Sequence, residues 1–237
     1  MAAGVPGRKA LRALRLRGEA TNGTGVATRW LWRGPVEGID DQRETTFKEE
    51  NVGHFGGVDT TFTPKLMAEL PIPETEATFE QMPALFLASG LGTVGGNRTG
   101  SAQGASGSSV VFTMPIPDTN SFPTYSYTAE VGDDAFAERM TYGLVKELTL
   151  SFNGGEAMKV EATMMGRLGT STNAEGTFVN AGTAPTVEII LASKGTAYLS
   201  PVGSGWGTGQ VTPGNILAGQ ITFTPLWTPK FPVDAGN

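Results

Sequence analysis

The chain has 237 residues, enough for one large β domain or two small ones with a substantial buried core. Its 39% hydrophobic and 17% charged residues are those of an ordinary globular protein, and no stretch approaches the roughly 18 apolar residues that cross a membrane as a helix. Net charge is −6, and the absence of cysteine excludes disulfides, thiolate metal sites and a cysteine nucleophile.

The charge is unevenly placed. Arg8, Lys9, Arg12, Arg15 and Arg17 fall in the first 18 residues with no acid among them. That leaves 12 of the 17 basic and all 23 acidic groups in the other 219 residues, a net of −11. Residues 1–20 therefore read as a basic N-terminal arm, either a solvated terminus or an arm docking on the acidic surface of a neighbouring copy. Leu11 and Leu14 suit a short amphipathic helix, and Leu14 with Leu16 suits a strand. Five basic residues beside an acidic body are weak grounds for a nucleic-acid-binding arm. Nothing near Met1 has the apolar run of a signal peptide, so the expected site of synthesis and residence is the cytosol.

With 33 glycines and 15 prolines at short intervals, the chain predicts many short strands joined by turns. Around Asn22-Gly23 a turn or loop is expected. Trp30 and Trp32 alternate with Leu31 and Arg33 and are expected to pack together on one strand face. Strands follow near 43–49 and 58–70, with Pro64, Pro71 and Pro73 marking edge strands or bends. The helix candidate spans about 79–90. Thr78 and Gln81 make a T-x-x-Q capping pattern, and a start near Met82 puts Pro83 in the first turn, with Gly90 and Gly92 ending it. Residues 92–109 read as a long flexible loop.

Strands resume at 110–114 and 125–131, and Asp133–Met140 reads as a short helix or turn. Then Leu148, Leu150 and Phe152 alternate with polar residues. Beyond Asn153-Gly154-Gly155, Met158, Val160, Ala162 and Met164 do the same, predicting a β-hairpin with one apolar and one polar face. Residues 187–191 read as a more fully buried strand, and 219–224 alternate again with Ile221 and Phe223 on one side. The sum is a mainly β, antiparallel protein with one helix, organised as a single β-rich domain over 21–237.

Few residues of the chain point to chemistry. His54, the one histidine, stands in a turn-like context without the partners of a triad or a zinc site. Asp40-Asp41 and Asp133-Asp134 lack calcium-loop spacing and read as solvated turn residues or helix caps. The glycine-rich stretch at 203–209 lacks the Lys-Ser/Thr of a phosphate loop and reads as a loop anchored by Trp206. Glu147 and Glu161 would be a carboxylate pair if they faced each other across the hairpin, but no aromatic cleft is marked around them. The expectation is a protein with no catalytic residues, no metal and no cofactor.

The run Tyr125-Ser-Tyr-Thr-Ala-Glu-Val-Gly-Asp133 is followed by Tyr142-Gly-Leu-Val-Lys-Glu-Leu-Thr-Leu-Ser-Phe152 and Glu156-Ala-Met-Lys-Val-Glu-Ala-Thr-Met-Met-Gly166. This order resembles tail tube (major tail) proteins of long-tailed bacteriophages. In that family an aromatic strand and an acidic turn precede a Gly-x-Val-x-x-Leu-x-Leu strand and a second strand ending in Gly. The segment Gln81–Gly92 resembles the family's short helix before a central loop, and Gly53–Gly57 also fits. The likeness covers roughly residues 43–170.

The resemblance implies an antiparallel β-sandwich or half-barrel with one flanking helix. It implies rings of six copies, whose inner sheets join into a barrel, stacked into a virion tail tube through which DNA leaves. The partners implied are identical copies, other tail proteins, and DNA that passes without specific binding; no membrane is implied. The candidate lumen residues are Glu147, Thr149, Ser151, Glu161 and Thr163, with Lys159 as an exception; the same face could instead be simply solvent-exposed. Arg8, Lys9, Arg12, Arg15 and Arg17 are the candidate inter-subunit arm. Other readings are a capsid-decorating or tail-terminator subunit, or a carbohydrate-binding β-sandwich using Trp30, Trp32, Trp206 or Trp227.

Overall fold

The computed structural model describes residues 12–48, 60–65, 67–90, 124–133, 136–168, 182, 184–195, 217–225 and 227–228. Among them the chain is mainly antiparallel β with one α-helix, as the alternation predicts. One main sheet runs β2 (Trp30–Leu31), β1 (Ala13–Gly18), β7 (Tyr127–Gly132), β8 (Ala137–Asn153), β9 (Lys159–Leu168), β6 (Ala68–Glu76), β3 (Asp40–Asp41), and β10 (Ala218–Phe223) also pairs with β8. A separate hairpin joins β4 (Glu44–Lys48) and β5 (Thr60–Lys65).

β8 organises the sheet. Its first half pairs with β7 and its second half with β10, while β9 follows it along the other margin. Seventeen residues of one strand would twist far, and bulges manage this. β8 carries an extra residue against β9 between Thr141 and Leu144 and another between Val145 and Glu147. Tyr142, in the first bulge, has φ 56°. Its freed N–H donates to Glu19 Oε1 at 3.0 Å. The same carboxylate accepts from Thr128 Oγ1, Ser126 Oγ and the Gly23 N–H, so Glu19 pins the bulge to β7 and to the loop after β1.

One face of the sheet is the core, lined by Leu14, Leu16, Leu70, Ile72, Val131, Met140, Leu148, Val160 and Met164, all at most 1% exposed. The chain after β2 crosses this face to reach β3 at the far margin, and Trp32 and Ile39 fill the core on the way. Helix α1 (Met82–Ala88) covers the rest, burying Met82, Leu85, Leu87 and Ala88 and setting Phe86 edge-on against Phe223 of β10. The helix begins where its sequence predicts. Thr78 and Gln81 bond side chain to side chain at 2.9 Å, proline occupies the first turn, and Gly90 closes the C-terminus with φ 73°.

Four expectations are corrected. Residues 1–20 are not all an arm: Leu14 and Leu16 are apolar enough to enter the core, so Ala13–Gly18 becomes an inner strand between β2 and β7. Of Asp133–Met140, read as a short helix or turn, the turn holds at its start, where the Asp133 N–H donates to Phe136 O at 2.8 Å, but Ala137–Met140 is the start of β8 and not helix. Residues 187–191 are not a buried strand. They form only isolated bridges, Thr78–Ile189 and Ala157–Leu191, and Ile189 and Leu191 are 41% and 43% exposed because only Ile190 turns to the core. Glu147 and Glu161 do not oppose each other; each faces a threonine across the ladder, Thr163 and Thr149. The readings at 92–109, 110–114, 203–209 and His54 fall outside the described residues.

Candidate functional site

Away from the core, the strands β10, β8, β9 and β6 present a polar face. Cross-strand register builds it in rows. Gln220, Ser151, Lys159 and Glu76 form one row, and Thr222, Thr149 and Glu161 the next. Glu147, Thr163 and Pro71 form the third. The five residues expected to line a lumen thus share one face, because alternation along β8 and β9 puts Leu148, Leu150, Val160 and Ala162 on the other. Glu147 and Glu161 are exposed, and the three hydroxyl residues between them are half-buried.

The face is wider than the hairpin pattern indicated. β10 adds Thr222, whose Oγ1 lies 3.2 Å from Thr149 Oγ1, and β6 adds Glu69, Glu74 and Glu76. Alternation of Glu69 with Ala68 and Leu70 carries a signal for β6, but Pro71 and Pro73 obscure it. Two lysines answer these acids. Lys146 donates to Glu69 Oε1 at 2.6 Å and Lys159 to Glu74 Oε1 at 2.9 Å. The bond to Glu74, then its charge and those of Glu156 and Glu76, raise Lys159 above the ordinary lysine range. Five carboxylates (Glu69, Glu74, Glu76, Glu147, Glu161) against the two ammonium groups and the exposed Arg167 of β9 leave the face at −2. Glu147 and Glu161 make no ion pair among the described residues.

Among the described residues the margins of this four-strand portion are largely open: β10 has β8 as its one strand neighbour, and β3 covers β6 only at Ala68 and Glu69. Pro71 and Pro73 suit an edge, where a missing N–H costs no ladder bond.

The basic residues expected to form an inter-subunit arm divide. Arg8 and Lys9 lie outside the described residues, and Arg12 is exposed at the start of β1. Arg17 donates to Ala27 O at 3.1 Å. Arg15 stands opposite Glu130 of β7, which stands opposite Arg139 of β8. Burial lowers Arg15 below the usual arginine range, partly offset by the charge of Glu130. Glu130 is 3% exposed, lies 3.3 Å from Arg139 Nε, and accepts from Thr28 Oγ1. Arg139 also donates to Val26 O at 2.8 Å. This network fastens the loop after β1 over the back of β7 and β8, so Arg15 and Arg17 serve the subunit's own fold.

At the other margin Asp41 is held below the usual carboxylate range, first by the hydrogen bond from the Arg43 side chain. No group of three or more His, Asp or Glu side chains among the described residues is placed to hold a metal ion. No helix among them is long and apolar enough to cross a membrane.

Fold and site together define a class: an antiparallel β protein whose main sheet, among the described residues, has an open acidic face and largely open strand margins. No protein-family model matches the chain, and no curated protein matches it.

Proposed function

We propose that the chain is a self-assembling structural subunit of a phage tail tube, and not an enzyme, as the resemblance to tail tube proteins implies. The observation that carries this reading is the four-strand portion β10–β8–β9–β6, with an acidic face outside the core and, among the described residues, margins left largely open on both sides. An open edge is an aggregation hazard unless something covers it, and pairing β10 of one copy with β6 of the next closes it. Six copies would give a barrel of about 24 strands. At ~4.8 Å between strands and ~40° of tilt, its backbone diameter is roughly 48 Å. Such a bore passes a DNA duplex. A net-negative lining repels phosphates, whereas a cationic one would release counterions and hold them.

The carbohydrate-binding alternative is weakened by Trp30 and Trp32. They pack edge-to-face at 6.2 Å with Trp32 3% exposed, so they offer no open stacking platform.

Because the chain has no cysteine, a cross-link isolates the proposed contact. Gln220→Cys is combined in turn with Pro71→Cys, Glu74→Cys or Glu76→Cys and oxidised. At least one pair should give a ladder of covalent oligomers on a denaturing gel, since paired strands bring Cα atoms within disulfide range, about 4.4–6.8 Å. Monomer alone from every pair refutes the lateral contact.

A further inference from the structure

The turn end of the β8–β9 hairpin carries an exposed apolar row. Leu217, 76% exposed, accepts the Gly154 N–H on one side of the turn. On the other side Ala192 N–H donates to Glu156 O, which brings Leu191 and Ile189 alongside. Phe79, 56% exposed, follows through its N–H to Glu188 O. Acids edge the row: Glu156 and Glu76 lie within reach of Lys159's charge, and Glu80 accepts the Glu188 N–H.

The opposite end of the sheet is where β1 begins, since Ala13 pairs with Gly132 and Gly132 with Ala137. The segment before it, residues 1–11, holds Val5, Ala10 and Leu11 with Arg8 and Lys9, and no acid. It is apolar and basic where the far row is apolar and acidic. It cannot reach the row of its own subunit: 11 residues extend at most about 40 Å, and the ends of β8 stand roughly 45 Å apart even after its bulges, before any lateral offset.

Resting on the tube reading, we propose that this basic segment of one copy docks on the Leu217–Leu191–Ile189–Phe79 row of the next, with Arg8 and Lys9 facing Glu156 and Glu188. The contact is head-to-tail, which propagates without closing and so suits the stacking of rings.

The test uses a labelled peptide of residues 1–12 and two full-length receptors. In one, R8E/K9E, the chain's own segment does not compete. In the other, E156K/E188K, the row is reversed in charge; both row positions are exposed. The peptide should bind the first receptor and bind the second about tenfold or more weakly, as expected for two lost ion pairs. A peptide carrying Arg8→Glu and Lys9→Glu should show the reverse preference. Failure of the wild-type peptide to bind R8E/K9E, or equal binding to both receptors, overturns the proposal. Charge-selective peptide binding by a chain that forms no rings would uphold this contact and sink the tube reading instead.

Discussion

Replacing Glu130 by Gln keeps the side chain's shape and removes its charge from a site that is 3% exposed. Two cations depend on that charge: Arg139, whose Nε is 3.3 Å away and whose side chain is 16% exposed, and Arg15, directly opposite in the ladder. Removing one partner of a buried pair costs about 3–5 kcal/mol, because the other charge stays buried and uncompensated. Arg139 retains its bond to Val26 O, and the glutamine still accepts from Thr28, which places the expected loss near the lower end, about 3 kcal/mol. With a urea slope of about 2–3 kcal/mol/M, the unfolding midpoint should fall by about 1 M or more. Glu161→Gln serves as the control. It removes the same charge from the open face, where no cation among the described residues pairs with it, and should move the midpoint by less than about 0.2 M. An E130Q midpoint indistinguishable from that of E161Q would refute the idea that Glu130 holds the loop and the three strands together.

Leu148, fully buried between β9 and β10, should cost about 2–5 kcal/mol as Leu148→Ala, read as a drop in thermal or urea midpoint; a loss under about 1 kcal/mol would show that the core face there is open. Gly166→Ala places a methyl 2.6 Å from Thr141 O and 2.8 Å from Met140 Cγ beside the first bulge of β8, so it should destabilise by about 1–3 kcal/mol, and a neutral result would mean the bulge shifts freely. Asp41 should titrate, by NMR, below an unperturbed aspartate, and Arg43→Gln should bring it back up. Because its folded-state value is depressed, its contribution to stability is present above the usual aspartate range and is lost as pH falls through the lowered value; an unchanged titration in the Arg43 variant would contradict the pairing.

What was legible in the sequence is what local chemistry dictates. Alternation around Asn153-Gly154-Gly155 gives the hairpin and its two faces, and Thr78, Pro83 and Gly90 give the helix bounds. The five residues of the expected lumen face need only period two, and they share a face. The failures lie where distant segments decide. Asp133–Met140 reads as a short helix or turn, and the turn at Asp133–Phe136 holds, but pairing with β7 makes Ala137–Met140 a strand. The run Val187–Leu191 is apolar enough for a buried strand, yet it meets the ends of β6 and β9 only through two bridges and turns two large side chains to solvent. Arg15 and Arg17 look like an arm's charges until Glu130 and Ala27 are seen to hold them, and neither partner is a local neighbour in sequence. The contribution of β6 to the acidic face was hidden because which strand lies beside β9 is a long-range choice.

The central claim is lateral closure of identical copies around a hollow core. Electron microscopy of the purified full-length chain tests it most directly. The account predicts hollow rings or stacked filaments, with density that places Glu147 and Glu161 on the inner wall. A single particle of monomer size at every concentration, or rings that turn the Glu147–Glu161 face outward, would contradict it.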